Sequence, residues 1–578
     1  MAADPAAHAA TPRRRLISRL RPSGEHLLLA AAAFYVGVLC VLPLARLFME
    51  ALGGESGGIA FIWEIATSRA ARIATWHSIE ASLGSVLVSI VIGTAFALII
   101  GLTDVRLRAP LVFTLLLPML IPAQITALAW LELTGPASTI LGPLGFAPAP
   151  GTRNWLYSRE GIILLMGIEH STMVFLAVRA GLRGLPRDLI EAAQAAGAKP
   201  ARVILAIILP LLRPALIAGA ALAFVGAIGN FGIPAILGIP GRYPMLTALI
   251  YQRLSGFGPK VLGDVAALSM ILALLAAAGL LVQFLASGRR HVTVTGFTAL
   301  GPVYRLGRWR PLVEMVLWVT LLFIAVLPLL ALVGTSLVQA LGVALDLETM
   351  TWAHYATAFA NDAVRRALVN SLWLAAAAAA ASLLVSLPLG YLITCRRSRP
   401  AQVLSAIADA PFALPGIVLS IAMILTFLKP LPIIGVSLYG TAAIILIAYL
   451  ARFLASGLRP TIAGMAQLDP ALEDAARVAG AGLIRRLTTI IFPMAAPAAI
   501  AGALLIFMSA YNELTVSALL WSTGTETIGV MIFNLYDEGN ATAAAAASVL
   551  SLLVTLSAAG LASLLARRLP YGVLPWQA

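Results

Sequence analysis

Apolar positions in this chain do not alternate with polar ones at strand spacing, nor do they form narrow helical stripes. They gather into long runs separated by short polar clusters. About 20 consecutive apolar residues span the hydrocarbon of a bilayer as a helix. On that measure the runs predict twelve spans. Six lie near 28–49, 79–101, 110–134, 160–178, 211–238 and 264–287. Six more lie near 311–335, 368–394, 402–428, 440–458, 497–521 and 543–567. The first run follows Arg13, Arg14, Arg15, Arg19 and Arg21 and is longer than the apolar region of a cleaved leader, so it reads as a retained anchor.

The polar clusters give an orientation. With the N-terminus inside, alternate loops hold 28 of the 39 Lys and Arg, counting 452–486 as one such loop. Basic loops stay on the cytoplasmic side, which places both termini there. The opposite loops are more acidic, with Glu50, Glu55, Glu64, Glu80, Asp346, Glu348, Asp362, Glu526, Asp537 and Glu538. That face is either simply solvated or a docking surface for a substrate-delivery protein.

Composition narrows the function classes. The 578 residues are 60% hydrophobic and 11% charged, which excludes a soluble globule and a disordered chain. The net charge of +14 is mostly loop arginine, so the bilayer, not nucleic acid, is its partner. The three lysines, Lys199, Lys260 and Lys429, follow Ala198, Pro259 and Leu428. None fits the Gly-Lys-Ser/Thr of a phosphate-binding loop. Two cysteines and six unpaired histidines offer no disulfide framework and no metal site. A cofactor in this chain is not expected.

Self-comparison then divides the chain in two. Glu191-Ala192-Ala193, Gly197 and Ile207-Ile208-Leu209-Pro210 recur as Asp474-Ala475-Ala476, Gly480 and Ile490-Ile491-Phe492-Pro493. Each position is displaced by 283 residues, as are Gly219 and Gly502. Pro118 and Pro122 return as Pro411 and Pro415 at a slightly larger offset. An even number of spans separates the copies, so the repeat is parallel. The fold expected is all-α and integral to the membrane: about twelve transmembrane helices in two parallel six-helix repeats. The units are a cytoplasmic tail 1–27, a first domain 28–290, a cytoplasmic linker 291–310 and a second domain 311–578. Each repeated loop predicts a short helix, a glycine break and a second short helix, forming a knob on the cytoplasmic side.

Glu-Ala-Ala, three residues, Gly, nine residues and Ile-x-Leu-Pro resembles the EAA-loop signature of permease subunits of binding-protein-dependent ABC importers. Glu191 to Pro210 fits it, and the second copy departs at Asp474 and Phe492. The resemblance implies a fused pair of type I importer permease domains. It implies two ABC ATPase subunits docked on the loops, with ATP bound and hydrolysed there and not in this chain. Ala192, Ala193, Gly197, Ala475, Ala476 and Gly480 would pack into those subunits, and Glu191 and Asp474 would make polar contacts. A periplasmic binding protein would deliver cargo at the outer face. The stretches Asn512 to Leu520, Asn230 to Ala235 and Thr351 to Tyr355 resemble ferric-iron permeases, and in part those for thiamine, polyamines and phosphonates.

A polar group inside a span usually faces a path or a partner. Glu513, Asn512 and Asn230 are the expected path residues, Gln124 is a weaker candidate, and Glu169 with His170 reads as a buried structural pair. The prolines starting spans three and nine read as helix breaks that serve packing more than gating. A different class, an ion-coupled secondary transporter, would also show a repeat and twelve spans, without needing two such loops.

Overall fold

The computed structural model describes residues 24–53, 57–256, 260–287, 303–431 and 435–566. The N-terminal arginine cluster, Glu55, His291, the C-terminal Arg567 and Arg568, most of the tail 1–27 and most of the linker 291–310 lie outside them. Regular structure among the described residues is helical, joined by turns and loops, with isolated bridges such as Thr103 with Tyr304. Among them nine helices are long and apolar enough to cross a membrane, and three bent pairs bring the possible total to twelve.

Two of the bends are one feature built twice. Arg108–Leu120 meets Ala123–Thr134 at 104°, and Arg399–Ala413 meets Gly416–Phe427 at 107°. A proline disfavours helical backbone in the residue before it. Accordingly Ile121 and Leu414 are extended, with ψ 134° and 146°, directly before Pro122 and Pro415. The third bend, 66° between Pro200–Leu211 and Arg213–Ile228, has no counterpart, because Leu483–Tyr511 runs on as one span.

The fifth spans of both halves end earlier than expected. The apolar runs continue to 238 and 521, but the helices end at Ile228 and Tyr511. The chain then turns through Asn230 and through Asn512 and Glu513 into short helical pieces. Hydropathy reads through these breaks because the residues after them are buried anyway: Phe231, Ile233, Ile236 and Leu237 in one copy, Val516 and Leu520 in the other. The tenth span is longer than expected. Ala442–Met465 carries Arg452 in its middle, so Arg452 does not belong to the basic loop in which the charge pattern counts it.

The 283-residue register holds at single contacts. A Cβ on Gly219 would lie 3.0 Å from Val174 Cα, and one on Gly502 would lie 3.0 Å from Gly457 Cα. Val174 and Gly457 are themselves 283 apart, so the same helix crossing is held close by a glycine in each half. The halves also interlock. Leu42–Leu52 packs on Gly416–Phe427, and Leu327–Leu337 packs on Ala123–Thr134. The first span of each half thus covers the broken span of the other. The described end of the linker folds back on the second span: the amides of Val303 and Tyr304 donate to Leu102 O, and that of Leu306 to Asp104. The Leu306 N–H, with help from Arg310, holds the Asp104 carboxyl below the usual carboxylate range.

Both repeated loops form the expected knob. Arg187–Ala195 ends before Gly197 at φ +77°, and Pro470–Val478 ends before Gly480 at φ +81°. Ala198 N donates to Ala193 O and Ala481 N to Ala476 O, both at 3.0 Å, which is the six-to-one bond of a glycine helix stop. Nothing lies within 4 Å of a Cβ at either glycine, so left-handed backbone and not close approach requires glycine there.

Candidate functional site: a cavity between the halves and two knobs

A cavity of about 270 Å³ opens where the broken helix of the first half meets the ends of the fifth spans. Its wall is backbone as much as side chain, since Ile121, Gly229 and Asn512 all stand where a helix stops. Asn230, Asn512 and Glu513, expected along one path, come together in this wall. Gln124, Glu169 and His170 join them from two further helices.

All of these side chains but Gln124 are positioned by specific bonds. Asn230 Oδ1 accepts from Ile233 N at 3.2 Å, and Glu513 Oε1 accepts from Val516 N at 2.9 Å. Asn230 and Glu513 are repeat equivalents, as are Ile233 and Val516, so both caps are one device. The other ends of the two side chains differ. Asn230 Nδ2 donates to Glu169 Oε2 at 2.8 Å, whereas Glu513 Oε2 lies 3.6 Å from Arg452 Nε. Thr515 also donates to Glu513 Oε1, and Arg452 Nη1 donates to Leu414 O at 3.2 Å. Asn512 is held between Leu120 O and the Thr555 hydroxyl.

The structure does not pair Glu169 with His170. Consecutive residues on a helix point about 100° apart. Glu169 turns to Asn230, and His170 Nδ1 contacts Met166 O at 2.7 Å. Any Cβ on Gly226 would press against the His170 ring at 2.5 Å, so the ring fills a slot cut for it. The Nε2 of Gln124 is buried without a hydrogen-bond partner. The first proline break also lines the cavity through Ile121 and Pro122, so it does more than fill space in the bundle.

Arg452 is the residue that the sequence reading missed. Its signal was present: Glu169 plus 283 is 452, and Arg452 sits one repeat away from an acid already singled out. Counted formally, the cavity holds two carboxylates and one guanidinium. Among the described residues no three His, Cys, Asp or Glu side chains gather in a way that could hold a metal ion.

The knobs form a second feature, at one end of the bundle. Glu191, Ala192, Asp474 and Ala475 are exposed, while Ala193 and Ala476 are half-buried at matching positions. Leu189 and Leu472, also 283 apart, are 48% and 42% exposed, so each knob presents a leucine outward. The inner faces differ. Ile190 and Val203 are buried among apolar neighbours that include Leu98. At the corresponding places the second knob has Glu473, Arg486 and Tyr391. Glu473 Oε1 accepts from Tyr391 OH at 2.7 Å and from Arg486 Nη1 at 2.8 Å.

Several acids on the opposite face are structural. Glu80 accepts from Tyr243 OH and pairs with Arg159, and Glu526 pairs with Arg366 and caps Gly524 N.

Comparison with known proteins places these features in a family. The family of binding-protein-dependent transport system inner membrane components matches residues 89–291 and 386–571, one match per half. A probable ABC transporter permease of Sinorhizobium fredii, y4fN, is 25% identical over 95% of this chain and 96% of its own length. The ferric transport system permease protein FbpB of Actinobacillus pleuropneumoniae is 26% identical over 78% of this chain and 65% of its own length. The sulfoquinovosyl glycerol transport system permease protein SmoG of Agrobacterium fabrum is 28% identical over 40% of this chain and 80% of its own.

Proposed function

The chain belongs to the family of binding-protein-dependent transport system inner membrane components; on that premise we propose that it is the path-forming subunit of an ATP-driven importer of ferric iron. Membership makes it a multi-pass ABC importer permease and removes the ion-coupled secondary transporter from consideration. The finer reading rests on one observation, the oxygen groups gathered in the cavity wall: the carboxyls of Glu169 and Glu513 beside Asn230 and Asn512. Carboxylates favour a passing cation and oppose an anion such as sulfate or a sulfonated sugar. With no cage of ligands to hold a metal among the described residues, a cation would pass from one oxygen group to the next and leave.

In this reading the two knobs are the sockets of two ATPase subunits. Ala192, Ala193, Ala475 and Ala476 give close approach, Gly197 and Gly480 give the turn, and Glu191 and Asp474 give polar contacts. ATP is bound and turned over by those subunits, and this chain needs no cofactor of its own. The knob end faces the cytoplasm with both termini, in a bacterial inner membrane, and a periplasmic binding protein delivers cargo to the other end. The units are the tail 1–27, the permease domains 28–290 and 311–578, and the linker 291–310. The break at Pro122 bounds the cavity, so movement about it would alter its access.

Proteoliposomes holding this chain, its ATPases and its binding protein test the cargo. Ferric uptake that falls about tenfold or more in Glu169→Gln, the scale of one lost charged contact, supports it. Uptake of sulfate, thiamine, a polyamine or a phosphonate, with none of iron, overturns the cargo and leaves the importer class intact.

A further inference from the structure

Helix Arg69–Leu102 runs parallel to Arg159–Arg183, with Glu80 beside Arg159 at one end and Gly101 beside Leu182 at the other. Arg69 and Arg72 therefore lie at the end of the bundle away from the knob that follows Arg183. A groove of about 890 Å³ starts at these two arginines and descends past Ile73, Trp76 and Ile79 to Ile271 of the neighbouring span. Ten residues separate Arg69 from Ile79, so the groove follows the helix for about 15 Å.

Three observations bear on its occupant. First, the groove is graded. Charge stands at its rim and apolar groups line its floor, along the wall of a membrane-crossing helix. Second, the rim is charged without compensation. Neither guanidinium makes an ion pair or hydrogen bond among the described residues. In the second half, 293 residues on, the place of Arg69 is taken by Asp362, which pairs at 2.7 Å with Arg365 at the place of Arg72, and the next residue, Arg366, pairs with Glu526 at 3.7 Å. Third, the surroundings suit the membrane interface. Trp76 is 63% exposed one turn below Arg72, and the adjoining helix Gly58–Thr67 exposes Ile59 and Trp63, four residues apart on one face. Tryptophan collects at headgroup level, where an amphipathic helix buries such a face.

We propose that this groove binds one anionic phospholipid of the leaflet opposite the knobs, its phosphate on Arg69 and Arg72 and an acyl chain along Ile73, Trp76, Ile79 and Ile271. A soluble protein would use the charged rim but leave the apolar descent empty. A zwitterionic lipid would use the descent but bring its own positive charge to the arginines. The site requires only that the chain sits in a membrane, so it stands or falls apart from the cargo.

The test is native mass spectrometry of the full chain, purified in detergent and offered phosphatidylglycerol or phosphatidylcholine. Retained phosphatidylglycerol should fall about fivefold for each arginine changed to Gln, the fold-change expected for one basic residue near a lipid surface. Arg69→Lys with Arg72→Lys should keep most of it, and Arg365→Gln should change nothing. Equal retention by wild type and the Arg69→Gln, Arg72→Gln chain overturns the proposal. So does unchanged lipid retention with weakened affinity for the binding protein, which would make the arginines a protein contact. If the neutralised chain does not survive purification, phosphatidylglycerol brominated on its acyl chains replaces it. Stronger Trp76 quenching than by brominated phosphatidylcholine, read against Trp76→Phe, supports the site, and equal quenching overturns it.

Discussion

Glu169 and Arg452 occupy one position of the repeat, 283 residues apart, and face the same cavity with opposite charge. Each meets the residue that caps the break after the following span: Asn230 for Glu169, Glu513 for Arg452. The two halves have kept one geometry at this contact and exchanged its polarity, so one repeat position gives the cavity an acid from one half and a guanidinium from the other.

Arg452→Gln leaves Glu513 without its counter-charge in a place where its side chain is only 11% exposed. Loss of one partner of such a pair destabilises by about 2–5 kcal/mol. Thermal unfolding in detergent should show this, and Arg452→Gln with Glu513→Gln together should recover at least half. A double variant as weak as the sum of the singles would mean that the 3.6 Å pair is not coupled.

Reversing the exposed acids of both knobs, Glu191→Lys with Asp474→Lys, should leave the fold intact, since neither side chain is buried. ATPase association, read by co-purification, should drop by about tenfold or more if those contacts are charge-assisted. Undiminished association and uptake would remove these acids from the coupling surface.

Glu473→Ala removes the acceptor shared by Tyr391 and Arg486 and should loosen the second knob by about 3–5 kcal/mol. The first half supplies its own control. Glu473→Ile with Arg486→Val copies Ile190 and Val203, and should restore much of the loss. Hydrogen exchange across 470–486 reports both outcomes; a double variant that exchanges as fast as Glu473→Ala would show that the polar triad cannot be replaced by apolar packing.

Gly197→Ala and Gly480→Ala meet open space but must hold φ near +80°. The cost is about 1–2 kcal/mol each, felt as fraying of the preceding short helix, not as a packing defect. Asn at the same positions should be milder. Exchange rates at 193–198 and 476–481 that stay at wild-type values would contradict this.

Much of the architecture was legible because it is written in averages. Span number, repeat and knobs depend on runs and spacings that survive single exceptions. The exceptions are where the structure departs. Hydropathy could not see the helix ends at Ile228 and Tyr511, because a buried break is as apolar as a buried helix. A charge count assigned Arg452 to a loop, because the count cannot tell a paired arginine in a cavity from a solvated one. Glu169 and His170 looked like a pair from adjacency alone, though neighbours on a helix diverge. Glu473 attracted no notice beside Asp474, since only the buried face of the knob separates them. Gln124, the weaker candidate, proved to be buried at the cavity with an unpaired amide.

The exchange of first spans also bears on how the chain is made. Ala123–Thr134 is covered by Leu327–Leu337, which the ribosome reaches 203 residues after Thr134 (337 minus 134). At about 5–20 residues per second, that surface waits roughly 10–40 s for its cover. During that time lipid or an insertion chaperone must stand in for it. The first half is thus finished only by the synthesis of the second, and a chain stopped in the linker would leave its broken span open to the bilayer.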